Sequence, residues 1–286
     1  MLQHVFNGLV GGSFLALVAL GLAVIFGMLR VVNFAHGAIY MLGAFGALAL
    51  TGEAFWAALV VVPVGLGLLG MVLERTVVNR LARLDPLYNF LLTFGLTLVL
   101  QDLVKWRYGV QSSPYPTPAG LGGSVDFGLF DFPAYRVFVL VVAAIVCFGV
   151  WFLLSRTRLG LIVRACTERP ELSAALGVNV GRWVTPVFGF GVALAGLAGV
   201  LAAPMRAVHP LMGADLIIVV FAVVVIGGLG SIFGSVAAAF AIGVLQALSE
   251  AYLDSALVSQ ILVYVVMAAV LLWRPSGLFG REESPA

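Results

Sequence analysis

Charge is scarce in this chain. Only 10% of its 286 residues are Asp, Glu, Lys or Arg, against about 25% in an ordinary soluble domain. A water-soluble globule of this length has too little charge here to cover its surface. Lysine is nearly absent: Lys105 is the only one, so no G-x-x-x-x-G-K-[ST] phosphate loop exists and the chain has no Walker motif with which to hydrolyse ATP. The two cysteines, Cys147 in an apolar run and Cys166 in a basic loop, make no disulfide framework and read as free thiols. His4, His36 and His209 are scattered, which leaves no metal-ligand cluster, and no nucleophile–base pairing is visible. The chain is therefore read as no enzyme, with no metal or cofactor of its own. Its arginines are divided among loops, which excludes a nucleic-acid-binding surface. Acids avoid the middles of the apolar runs, with Glu74, Asp102 and Asp215 placed at their ends. Ion-coupled carriers hold ionisable groups at membrane depth for coupling. Lacking both devices, the chain acts passively or borrows energy from a partner.

What the chain has in abundance is apolar sequence, 62% of residues with a mean hydropathy of +1.14. Runs of about 20 apolar residues recur from end to end, each long enough to cross a hydrocarbon core of roughly 30 Å as a helix. They lack the alternation of barrel strands, so the fold class is an all-α integral membrane bundle of about eight to nine helices. Spans are expected at 5–29, 33–51, 54–73, 87–104, 135–154, 183–203, 211–229, 231–249 and 256–273, with a re-entrant 33–51 as the alternative. The first run has no Lys or Arg before it and is too long for a cleavable signal, so it reads as a retained span. Arginines cluster in 74–86 (Arg75, Arg80, Arg83) and in 155–182 (Arg156, Arg158, Arg164, Arg169, Arg182). The positive-inside rule puts both loops in the cytoplasm and the Pro/Gly/Ser-rich 105–134 loop outside, N-terminus out and C-terminus in. Arg30, Arg274 and Arg281 then fall inside, and Glu250 and Asp254 outside. Gly8 with Gly12, and Gly191 with Ala195 and Gly199, are small-residue pairs that let helix backbones approach closely.

The loop 155–182 carries a short predicted helix over 169–179. Pro170 suits its first turn, Glu171 complements its positive end and Gly177 can terminate it. Glu171, Ala174, Ala175 and Val178 share one face. Spacing alone allows two readings: an amphipathic helix on the headgroups, or a surface on which another protein docks.

This loop resembles the coupling segment of ABC importer permeases, whose pattern is E-A-A-x-x-x-G. Glu171 and Gly177 stand at the right separation, while Leu172 and Ser173 replace the two alanines. Asn33-Phe34-Ala35-His36-Gly37 resembles the N-F-A-[HQ]-G signature of branched-chain amino-acid permeases. The stretch 227–234 (Gly227, Gly228, Leu229, Gly230, Ser231, Ile232, Phe233, Gly234) resembles their Gly-rich hairpin. Trp273-Arg274-Pro275-Ser276-Gly277-Leu278-Phe279-Gly280 resembles their C-terminal ending. The likeness covers nearly the whole chain, and the motif order is that of LivH-type subunits.

The resemblance implies a single permease domain over 1–286 in the bacterial inner membrane, with 155–182 as coupling loop. The implied partners are a LivM-like second permease, two ABC ATPase subunits that bind the ATP, and a periplasmic substrate-binding protein. The implied cargo is a branched-chain or similar small apolar amino acid, with urea or short amides as an alternative within the family. A stand-alone channel is the alternative outside it. Glu171, Ala174, Ala175 and Gly177 are the implied ATPase-coupling residues. Asn33 and His36 are path candidates, although Asn33 also suits a helix cap. Gly227, Gly228 and Gly230 either line the path or simply allow a tight turn. The 105–134 loop, with Tyr108, Tyr115 and Phe127, either docks the binding protein or is an interfacial connection.

Overall fold

The computed structural model describes all residues except 30–32, 52–53, 82–84, 127, 129–130, 169, 254 and 281–286. Arg30, Arg83, Phe127, Arg169, Asp254 and Arg281, used in the topology and loop arguments above, lie outside the described residues. The chain is an all-α bundle with one small hairpin. Its helices are α1 (Leu2–Leu29), α2 (Ala35–Ala49), α3 (Phe55–Leu73), α4 (Asn79–Leu81), α5 (Pro86–Tyr108), α6 (Ala134–Arg156), α7 (Arg158–Glu168), α8 (Pro170–Ala175), α9 (Val180–Ala202), α10 (Met212–Gly227), α11 (Ile232–Leu253) and α12 (Ala256–Trp273). Among the described residues, six stretches are long and apolar enough to cross a membrane: Leu2–Leu29, Phe55–Leu81, Leu87–Tyr108, Ala134–Arg156, Val180–Ala202 and Ile232–Leu253. Three further apolar helices, Ala35–Ala49, Met212–Gly227 and Leu257–Trp273, are shorter.

At the centre stands α1, with every residue from Gly12 to Ile25 buried. Its glycines decide its neighbours. A Cβ on Gly8 would press into the backbone of Val244, and one on Gly12 into that of Phe240, so both glycines lie flat against α11. Gly21 faces the backbone of Gly191 on α9. Further along α9, Gly199 nests against Tyr40, Gly43 and Ala44 of α2, while Gly189 meets Gly67 and Met71 of α3. Both small-residue pairs singled out in the sequence are thus backbone contact points. At the end opposite α7 and α8, β1 (Ser124–Asp126) pairs antiparallel with β2 (Asp131–Pro133). There Tyr115 is buried and donates its hydroxyl to the Leu50 carbonyl at 3.3 Å.

Two of the short helices begin inside the bundle. His36, in the first turn of α2, places Nε2 3.1 Å from the carbonyl oxygen of Val18. Val18 is about 16 Å from the nearer end of α1 at 1.5 Å per residue. The first turn of α10 lies at the same depth, because Gly37 and Gly213 meet backbone to backbone. Asp215 therefore occupies a helix end, as the sequence suggested, but that end begins partway along the bundle, and Asp215 itself is exposed on the bundle's surface there.

The third span also departs from expectation. It does not stop at 73: a π turn over Glu74–Val78 carries it into α4, giving a 27-residue stretch that ends at Leu81. The extra residue of a π turn lets the helix continue past Glu74. The Glu74 side chain is fully buried, and its Oε2 accepts a 2.6 Å hydrogen bond from the hydroxyl of Thr185 on α9. Glu74 thus sits within a continuous helical stretch and not at its end.

Filling the α2–α10 contact is expected to be costly. Gly213→Leu drives a side chain into the Gly37 backbone, and overpacking of this kind costs about 1–3 kcal/mol or more. Gly65→Leu, at a position where a Cβ meets nothing within 4 Å, should change stability by less than about 0.5 kcal/mol. Thermal unfolding of both variants in detergent checks the difference.

Candidate functional site

Two short helices, α7 and α8, join α6 to α9. Thr157 makes the corner after α6, its hydroxyl donating to the Leu153 carbonyl at 2.5 Å and accepting from the Gly160 N–H at 3.2 Å. α7 then packs back on α6, α1 and α9, with Cys166 buried and Leu159 and Leu161 exposed. The following helix is α8, Pro170–Ala175, shorter than the predicted 169–179.

Its end is fixed by local chemistry. The N–H of Gly177 donates to the Ala174 carbonyl at 3.0 Å, and that of Val178 to the Ser173 carbonyl at 3.0 Å. This is the paired closure of a Schellman end, which needs a left-handed residue, and Gly177 supplies it with φ +85°. Asn179 then begins α9, its Oδ1 accepting from the Arg182 N–H at 3.2 Å. The result is a rigid elbow. Glu171, Ala174, Ala175 and Gly177 all lie on its exposed surface, and Ser173 faces inward. Val178, grouped with the docking face in the sequence, belongs to the closing turn instead. Two residues that sequence reasoning passed over stand out beside them: Leu172 is 50% and Leu176 78% exposed. An apolar pair flanking two alanines and a carboxylate is chemistry suited to another protein's surface.

The elbow is mechanically tied to the bundle. α9 starts at Val180, directly after it, and by Thr185 it is bonded to Glu74 on the π turn of the third span. No residue near Glu74 in sequence signalled this partner, which lies 111 residues away.

The path candidates fall in two separate places. Asn33 and His36 sit together at the start of α2. Asn33 is buried and its Oδ1 accepts from the Ala35 N–H at 3.1 Å, a capping contact. His36 is fully buried, and its Nδ1 has no partner among the described residues. Gly227, Gly228 and Gly230 lie at the α10–α11 turn. There they meet the C-terminal motif: the N–H of Leu278 donates to the Ile226 carbonyl at 2.9 Å and that of Phe279 to the Gly227 carbonyl at 3.1 Å. Gly228, at φ +104°, touches the Gly280 backbone. Two motifs read separately in the sequence thus form one backbone-paired unit, in which Gly228, Gly230 and Gly277 take positive φ.

The described residues thus form a polytopic, all-α membrane bundle with a Gly-closed elbow between α7 and α9. Residues 4–272 match the model of the family described as branched-chain amino acid transport system / permease component, and the chain belongs to that family. It is 31% identical to the high-affinity branched-chain amino acid transport system permease protein BraD of Pseudomonas aeruginosa, over 99% of this chain and 96% of that one. It is 28% identical to the permease protein LivH of Escherichia coli over 99% and 96% of the two chains. Against the permease protein LivM of Escherichia coli it is 29% identical over 92% of this chain and 67% of the other. No solved structure matches.

Removing the Thr185 hydroxyl leaves a buried carboxylate without its bond. Thr185→Val is expected to lower stability by about 1–3 kcal/mol, and Thr185→Ser to retain most of it. Denaturation of the purified variants in detergent measures both.

Proposed function

We propose that this chain is the permease subunit of an importer that moves branched-chain or similar small apolar amino acids into the cytoplasm with ATP hydrolysed by partner subunits. It catalyses no reaction itself. The observation that carries the reading is the elbow: a rigid α7–α8 unit with exposed Leu172, Ala174, Ala175 and Leu176, continuous with α9. A passive channel has no use for such a lever, and family membership supplies the cargo class.

On this reading the elbow faces the cytoplasm and an ATPase subunit seats against it. The chain runs N-terminus out and C-terminus in, as a multi-pass protein of the inner membrane. The β1–β2 end lies outside, where a substrate-binding protein docks. A LivM-like permease completes the translocation path, and two ATPases complete the assembly. α2 covers only the outer part of the membrane, because its first turn starts opposite Val18 of α1; it is a half-length helix that ends on the outer side, where the Leu50 carbonyl accepts from Tyr115, so the chain still crosses there. Closure of the ATPases on ATP pushes the elbow, and α9 carries the displacement to α1, α2 and α3. Asn33 and His36 lie in the moving contact between α2 and α1, and Gly227, Gly228 and Gly230 keep the α10–α11 turn compact beside it.

Affinity purification of the tagged chain in mild detergent tests the assembly: two ATPases and a second permease are expected, and recovery of this chain alone overturns it. Ala174→Arg places a bulky charge on the docking face without touching the bundle. Uptake of leucine into reconstituted vesicles should fall at least 10-fold while the protein's melting temperature stays within a degree or two. Normal uptake would remove the elbow from the mechanism.

A further inference from the structure

The seam between α5 and α2 carries a polar row that neither the family description nor the elbow mechanism assigns. Along α5, Asn89, Thr93, Thr97 and Gln101 recur every fourth residue, and their exposures are 0, 2, 8 and 5%. The opposite face is apolar and exposed, with Leu87, Leu91, Phe94, Leu98 and Trp106. The row extends over about 18 Å of helix at 1.5 Å per residue, more than half of a hydrocarbon core.

Polar side chains on a membrane helix usually serve as bonds between helices. These do not. Thr93 donates its hydroxyl to its own helix at the Phe90 carbonyl (3.2 Å) and Thr97 to the Thr93 carbonyl (2.8 Å). Asn89 is wholly buried, and neither Oδ1 nor Nδ2 has a partner among the described residues. An unbonded buried amide is costly, so it opposes this closed arrangement. What holds α5 is mainly contact with α2, and aromatic pairs mark both ends of the seam. Phe34 meets Phe90 edge-on at 5.0 Å, and Phe45 meets Tyr108 at 4.9 Å.

We propose that the α5–α2 seam is the polar side of the translocation path, shut in this conformation, and that it opens to expose the four-residue row to a net-neutral solute with a polar head. The inference rests on the importer reading and deepens it. Amides and hydroxyls exchange hydrogen bonds with an ammonium and a carboxylate in turn. Because the row itself bears no charge, a zwitterion meets no single site deep enough to trap it. The aromatic and aliphatic residues beside the row suit the apolar side chain of the same solute.

The test uses the assembled importer in proteoliposomes, with Cys147 and Cys166 replaced by Ser and a single new cysteine at Thr93→Cys or Thr97→Cys. A cationic, membrane-impermeant methanethiosulfonate should label either position at least 10-fold faster during ATP turnover than without nucleotide, and excess leucine should slow it. Leu98→Cys, on the opposite face, should keep one rate throughout. Uptake with no change in labelling at Thr93→Cys and Thr97→Cys overturns the seam and leaves the importer reading standing. Labelling that rises with ATP in an assembly that imports no branched-chain amino acid overturns the cargo instead.

Asn89→Leu gives a second, independent sign. It removes an unbonded amide, so the melting temperature should hold or rise while uptake falls at least 10-fold. A fall in both, or unchanged uptake, means that Asn89 only packs, and the proposal fails.

Discussion

Backbone contact between helices inside the bundle is the constraint on which the remaining structure depends. In hydrocarbon, lipid tails compete with side chains for apolar contact, so helices associate through close packing. α2 and α10 have a further need, because each begins partway through the bundle. The first N–H groups of a helix have no partner within it, and at membrane depth such ends are tolerated only when protein encloses them. Gly37 against Gly213, and Gly43 against Gly196 and Gly199, close α2 and α10 around those ends. Asn33 satisfies the Ala35 N–H from its own side chain. The capping reading of Asn33 and the glycine pattern of the span beside it therefore answer one physical problem.

The corrected place of the acids changes how the energy source is argued. Glu74 is buried at the π turn, and Asp215 is exposed in a first turn of α10 that begins partway along the bundle, so the chain carries two acids away from the ends of its helical bundle. Their absence no longer speaks for a borrowed energy source. The missing phosphate-loop lysine does, together with the elbow and the family to which the chain belongs. Glu74 has a role that requires no ion: it ties the lever helix α9 to the third span where the π turn turns its side chain inward.

Apolar runs and small-residue spacing made the helices and two of their contact faces legible, because both are local signals that survive without a partner. The end of α8 at Gly177 was legible for the same reason. What stayed hidden depends on a second segment. The partner of Glu74 at the π turn is Thr185, 111 residues away. The joining of the 227–234 and 273–280 motifs needs both strands of backbone in place. Leu172 and Leu176 looked like ordinary members of an apolar chain until the fold left them exposed. The row on α5 is a different case: four polar residues at a spacing of four were visible in the sequence, but only burial without cross-helix bonds distinguishes them from interhelical glue.

Those contrasts also determine where motion is easiest. α9 is held to α1, α2 and α3 by glycine-mediated backbone contact and by the Thr185–Glu74 bond. Close-packed elements of this kind shift together, because any relative slip brings backbone atoms into collision. α5 has no comparable anchor. Its hydroxyls bond inward to its own carbonyls, and the amide of Asn89 has no partner among the described residues. On the proposed function, a push at the elbow moves the glycine-joined core as a unit. The displacement is taken up at the α5–α2 seam, where parting breaks no side-chain hydrogen bond among the described residues and hydrates side chains that closure had left dry.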